Sequence, residues 1–502
     1  MRSPDQVVRA AGIAGLASLL LVASCGGKDR APARPRLPDA PALTAYPALA
    51  FVPAEPDAVV VVQHAADITE ALRPVVELGA LVMGGREDVG DMLRGELGFD
   101  PLDLAALGDR GLEVGGSIAI YLQGTGVTAV LPARDAGALT ATIQELVGAG
   151  AHEAVVDGVT VSTSVGRGPT IAWAADGPWV WVHVELGRGT DGAWLAESRA
   201  AVGAYALDPD LAWATGTDTS STAPAPMAAI ARLDRVLAGP ARLVAGMMGK
   251  RCLGHISTVQ RLGVRGAIDD RGALSLRAAA DIDDTSAVAA ALAPEPRGWA
   301  QVGARPGLVG ALNLDARALA ELASACVGDD VREMVDELGL ERGRLFVDDL
   351  SVKGLAGNLG LALETSHQTW TRWLIDQIPG RSFLEQKTQF GDIAGYVIDV
   401  PIFGKHSFAI SDDRFMAGKG SGFDLAKLAG APGAAATNLG HAALRPGKFT
   451  DDTWRYVLGM AGVDGREAST IVAILRAWDL LAVDASITPG EIVLTLDAAP
   501  AS

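Results

Sequence analysis

The chain has 502 residues, 49% hydrophobic and 20% charged, a balance that argues for a globular and against a disordered protein. A formal net charge of −18 repels phosphate, which argues against binding nucleic acid or an anionic membrane surface through the body. Past the N-terminal region, about 450 residues exceed what one hydrophobic core usually organises, so two or more domains are expected.

Arg2 and Arg9 flank an apolar run from Ala10 to Ala23 that ends in Leu21-Val22-Ala23-Ser24-Cys25. A positive flank, a short hydrophobic stretch and small residues before a cut point predict an export signal over residues 1–24. The run is short for a ~30 Å hydrocarbon layer, which takes roughly 20 apolar residues, so a transmembrane anchor is the weaker reading. Val22-Ala23-Ser24-Cys25 resembles the bacterial lipobox, although Asp5 is unusual in such a leader. The resemblance implies a diacylglyceryl group on the Cys25 thiol, cleavage before Cys25 and acylation of the new amine, with palmitate-like chains in a bilayer as the partner. Two chains are what stable anchoring needs, at ~0.8 kcal/mol per buried CH₂. An ordinary signal peptide cut before a cysteine is the plainer alternative. Gly26 stands where an inner-membrane retention signal has Asp, so the resemblance implies a cell-envelope lipoprotein, of the outer membrane (periplasmic face or cell surface) before the inner.

Residues 25–50 carry Pro32, Pro35, Pro38, Pro41 and Pro47, which predict a disordered, semi-stiff tether spanning ~3 Å per residue. Next, Val52-Pro53-Ala54-Glu55-Pro56-Asp57 precedes an apolar strand at 58–62. That pattern is similar to uncharacterised exported bacterial proteins, a resemblance that implies no functional residue.

The rest reads as an internal repeat. Glu96-Leu97-Gly98-Phe99-Asp100 recurs as Glu337-Leu338-Gly339-Leu340-Glu341, and the same gapless offset aligns Gly116–Leu122 with Gly357–Leu363. Trp173–Gly177 falls opposite Ala409–Asp413, and Asp270–Leu276 opposite Thr488–Leu494. The offset shrinks along the chain, as loop deletions within one repeat would make it, giving halves at 51–295 and 300–500. Ile118, Ile120 and Leu122 alternate as a half-buried strand does. Asp176-Gly177 predicts a hairpin turn pairing Ala174 with Trp179 and Ala172 with Trp181. Leu139, Ile143, Leu146 and Val147 share a helical face after Asp135, an N-cap residue, with Trp370, Leu374 and Ile378 as counterparts. Short turns between strands predict the α+β class: an internally duplicated body of two similar halves, each an antiparallel sheet with helices packed on one side.

Chemistry is sparse. With Cys25 lipidated, Cys252 and Cys326 form an even pair in an oxidising compartment, either one disulfide or two separately buried thiols. Neither has the spacing of a metal site. The serine-hydrolase elbow and the phosphate loop are absent from the sequence. The seven histidines are scattered and read as surface or satisfied core residues. Recurrent acidic pairs such as Asp329-Asp330 and Asp451-Asp452 suit helix starts and turns better than calcium. The tryptophans at 179, 181, 370 and 373 suit core packing better than sugar stacking. No catalytic, cofactor or metal residue is assigned. The sequence therefore favours a non-enzymatic binding or scaffolding lipoprotein. A carrier of a hydrophobic ligand and an envelope hydrolase with a non-standard site are the alternatives.

Overall fold

A computed structural model describes residues 40–69, 94–95, 98–100, 102–148, 150–164, 169–185, 192–215, 224–238, 250–268, 273–283, 286–292, 307–312, 316–338, 340–347, 359–365, 385–390, 393–400, 404–410, 414–419, 438–460, 462–463, 465–488 and 490–501. The export signal, Cys25 and residues 25–39 of the expected tether lie outside them. The fold is α+β, built on antiparallel strands. Two compact units divide it, residues 1–243 with 261–268, and residues 244–260 with 269–502.

In the first unit the strands are β1 (Ala58–Val62), β2 (Ile118–Gln123), β3 (Gly126–Pro132), β4 (Ala151–Val156), β5 (Val159–Ser164), β6 (Thr170–Asp176), β7 (Trp179–Glu185), β8 (Met227–Arg232) and β9 (Val259–Ile268). Their pairings give the order β4-β5-β6-β7-β3-β2-β1-β8-β9. The second unit carries β10 (Leu274–Ile282), β11 (Leu308–Leu312), β12 (Leu340–Val347), β13 (Leu359–Thr365), β14 (Glu385–Phe390), β15 (Ile393–Val400), β16 (Gly404–Ile410), β17 (Arg414–Lys419), β18 (Asn438–Leu444), β19 (Trp478–Thr488) and β20 (Glu491–Pro500). Its order is β14-β15-β16-β17-β13-β12-β11-β18-β19-β20-β10. Strand for strand, β1 to β9 and β11 to β19 follow one plan.

That plan differs from the expected repeat in one place. By position in the sheet β2 corresponds to β12 and β3 to β13, so the gapless match of Gly116–Leu122 to Gly357–Leu363 joins a second strand to a third. Alternating aliphatics look alike in neighbouring strands, and loops of unequal length between them remove the cue that would separate them. β10, expected to close the first half, pairs with β9 and also with β20.

The hairpin at β6–β7 turns one step later than expected. Asp176 pairs with Trp179 and Ala174 with Trp181, leaving Gly177-Pro178 as the loop. Gly177 takes a φ of +61°, and proline holds the next residue negative, the sequence of a II′ turn. Asp176 stays in the strand, its carboxylate 3.1 Å from Arg199.

Helices α1 (Pro41–Ala45), α2 (Leu104–Asp109), α3 (Ala136–Val147), α4 (Ala193–Ala200) and α5 (Pro209–Thr215) serve the first unit. Asp135 caps α3 by accepting from the Ala138 N–H, and Gly148 ends it in left-handed geometry. Leu139 and Ile143 of α3 pack with Leu107 of α2 against Val62, Ile118, Trp173 and Val182. The sheet's other face buries Val59, Val61, Tyr121 and Trp181 beneath α1, α4 and α5. Helical cover thus lies on both faces here rather than one, because β1 is apolar at every position and neighbouring strands feed both cores.

Residues 40–50 are not tether. Pro41 and Pro47 open α1 and a 3₁₀ turn, Pro47–Phe51, where a missing N–H costs nothing. Tyr46, Leu49 and Val52 are wholly buried. Their spacing of three matches the 3₁₀ turn, so all three point one way, into the sheet. We call residues 40–52 the strap.

Candidate functional site

The first unit's strap-covered face holds a seam of buried polar side chains along one rung. Neighbouring strands place Tyr121 opposite Thr128, Thr128 opposite His183 and His183 opposite Ala172. Thr128 Oγ1 lies 2.9 Å from His183 Nδ1. The imidazole stacks on Trp194 of α4, 3° from parallel at 4.8 Å. Its Nε2 is 3.4 Å from Glu185 Oε2, two residues along the same strand and on the same face. Glu185 also accepts from the Thr125 hydroxyl. A glycine is required at 126, because a Cβ there would stand 2.5 Å from His183 Cε1.

The seam continues towards the strap. Trp181 Nε1 donates to Ser198 Oγ at 2.9 Å, and the Ser198 hydroxyl donates to the Phe51 carbonyl at 2.7 Å. Phe51 meets Trp179 and Trp181 edge-on, at 5.2 and 5.0 Å. Tyr121 sets its hydroxyl beside Ser198 and Thr128 without a hydrogen bond of normal geometry. Burial pushes the His183 pKa below its usual value, and the Glu185 carboxylate recovers part of that. Burial likewise raises the pKa of Tyr121 and Tyr46, so both phenols stay protonated.

Hydroxyl, imidazole and carboxylate stand in the order of nucleophile, base and orienting group. Access decides against that use. Thr128 is 1% exposed, His183 is 4% exposed, and Trp194 covers the ring. No substrate reaches the hydroxyl in this conformation; the arrangement ties β2, β3 and β7 to α4.

A second cluster lies in the same unit. Asp210 takes Arg232 at 2.6 Å and also Arg261, whose guanidinium lies 4.9 Å over the Trp213 ring. Each charge is compensated locally, as in a structural ion-pair network.

Cys25 lies outside the described residues. Cys252, on α6 (Lys250–Ile256), and Cys326, on α7 (Ala316–Val327), are joined as a disulfide, which closes the alternative of two thiols. Trp179 and Trp181 pack in the core, while Trp370 and Trp373 lie outside the described residues. Asp330, Asp451 and Asp452 sit in first helical turns, although Asp451 also holds Arg476 at 2.8 Å. Among the described residues no group of three or more His, Cys, Asp or Glu could hold a metal ion. His441 bonds Asp484 at 2.7 Å across β18 and β19. The sequence missed the Thr128–His183–Glu185 seam. Its only trace was a pair of polar residues inside otherwise apolar strands, 55 positions apart.

Such a molecule is a two-unit α+β protein with a buried polar seam and a strapped sheet. No family model matches the chain, and no curated protein matches it. Two solved structures are similar to it over part of its length. Crystal form III of TP0453 is 7% identical with a TM-score of 0.27, covering 47% of this chain and 80% of that one. Crystal form IV of TP0453 is 9% identical with a TM-score of 0.26, covering 46% and 79%. Likeness this slight carries neither fold nor function across.

Proposed function

We propose that this chain is an exported bacterial lipoprotein, held in an envelope membrane by acyl chains on Cys25, with a non-enzymatic binding or scaffolding body. The outer membrane is the proposed destination, and the two units are proposed to be copies of one ancestral sequence. The lipobox-like Val22-Ala23-Ser24-Cys25 carries the anchor reading. Support for the body's role comes from the seam, whose one hydroxyl–imidazole–carboxylate arrangement is sealed under Trp194 and serves packing. The common strand plan supports the duplication.

Cys25→Ser tests the anchor: the protein should leave the membrane fraction or accumulate unprocessed, and should lose incorporation of labelled palmitate. Normal processing with unchanged membrane fractionation would end this reading.

A carrier of a hydrophobic ligand is the second reading, favoured by one face of the second unit's sheet. There Leu276, Leu496 and Val483 lie side by side, as do Ala278, Leu494 and Ala485, and Leu494 is 43% exposed. The opposite face carries Arg277 with Glu491 and Ser275 with Asp497. A carrier should retain lipid or another apolar molecule in native mass spectrometry after its own acyl chains are removed; an empty body would remove this reading.

A further inference from the structure

The strap is attached in the manner of a bound peptide. Its side chains fill the face (Tyr46, Leu49 and Val52 without exposed surface), and Phe51 wedges between Trp179 and Trp181. Its backbone is held by groups that belong to the body. The Ala48 N–H donates to Ser117 Oγ at 2.8 Å, the Ala50 carbonyl accepts from the Gly203 N–H at 2.9 Å, and the Phe51 carbonyl accepts from Ser198. The Tyr46 hydroxyl donates to the Ala225 carbonyl. Backbone groups held by a fixed frame, with side chains on one face of a short helical segment anchored in apolar sites, are a recurring means of recognising short peptides. With the strap in place Ser117 and Ser198 are buried, so both of their bonds to its backbone are made away from water.

The strap's one covalent link to the body is short and accessible. Between Val52 and β1 stand Pro53, Ala54, Glu55, Pro56 and Asp57, with Ala54 and Glu55 exposed. Nothing in the contacts above depends on which chain supplies the strap.

We propose that the strap-covered face of the first unit is a peptide-binding groove. Its resident ligand is residues 40–52 of the same chain, and its ligand in trans is the same segment of a second copy. The class it accepts is a short apolar 3₁₀ segment with buried side chains three apart and an aromatic residue two after the middle one. Specificity resides in Leu49 and Phe51; Ser117, Gly203 and Ser198 read backbone and would accept other sequences of that pattern. The inference is independent of Cys25.

The test inserts a protease site between Ala54 and Glu55 of the full chain and cuts the folded protein. The cut strap should stay with the body through gel filtration and then exchange for a labelled peptide of residues 40–52, in a saturable way. The same peptide with Leu49→Asp should bind ~100-fold more weakly, since a carboxylate would enter an apolar site. Uncut protein should bind little labelled peptide, because its groove is filled. Tryptophan fluorescence and circular dichroism on the cut body report its fold separately. The proposal is overturned if the cut body keeps its fold but takes up no peptide, if the Leu49→Asp peptide binds equally well, or if cutting alone unfolds the first unit.

Discussion

One rung runs through both units at equivalent places, with different contents. In the first unit it reads Tyr121, Thr128, His183, Ala172 and Thr163. In the second it reads Phe346, Gly360, Gly418, Ser407 and Val397. Two glycines stand where the first unit has its hydroxyl and its imidazole. Glycine brings no side chain to the rung, so the second unit has no hydroxyl–imidazole contact at these two positions. It is reinforced covalently instead, by Cys252–Cys326 between α6 and α7, across a sequence separation of 74. Strand order tolerates this exchange because it is set by alternating apolar positions and short turns. The fastening can be a strap and a polar seam in one unit and a disulfide in the other.

Two measurements test whether the units are fastened separately. The larger effect belongs to the disulfide. Cys326→Ser should lower the stability of the second unit by up to ~4 kcal/mol, the chain-entropy value for a loop of this size. Calorimetry should show that transition moving down while the one reported by Trp181 and Trp194 holds still. Joint movement of both would mean that the units are not fastened separately.

The smaller effect belongs to His183. Its folded pKa is depressed, so the fold favours the neutral ring, and the unfolded chain takes up a proton that the folded one resists. This contribution to stability is whole above the unfolded value of about 6.5 and is lost progressively as pH falls below it. Thermal unfolding followed at several pH values from neutral to mildly acidic should therefore show a shallower acid loss for His183→Gln than for the parent. The difference should be confined to the first unit's transition, since the second unit has Gly418 at the corresponding place. A steeper loss in the variant would contradict the assignment.

Much of the fold was legible in the sequence. Asp135 and the spacing of Leu139 and Ile143 located α3, and the Asp176–Trp179 region located a hairpin, because capping and periodicity act within a few residues. What escaped depended on distant partners or on two readings of one residue type. Pro41 and Pro47 suit an extended spacer as well as a helix start, and only Tyr46, Leu49 and Val52 at intervals of three argued for the second. β2 and β3 carry similar patterns, so a gapless match slipped by one strand. The Thr128–His183 contact required knowing that β3 pairs with β7, which no local rule supplies.

The strap also sets an order of events for the growing chain. Its partners Ser198 and Ala225 stand 147 and 179 residues downstream, and β9, the last strand of the first unit, ends at Ile268. Residues 40–52 therefore emerge early and must wait, exposing Tyr46, Leu49 and Phe51 until more than half the polypeptide has appeared. Long-range closure of this kind is slow, and waiting apolar segments are vulnerable to misassociation. A chaperone that shields this one stretch would address much of the first unit's risk of misfolding.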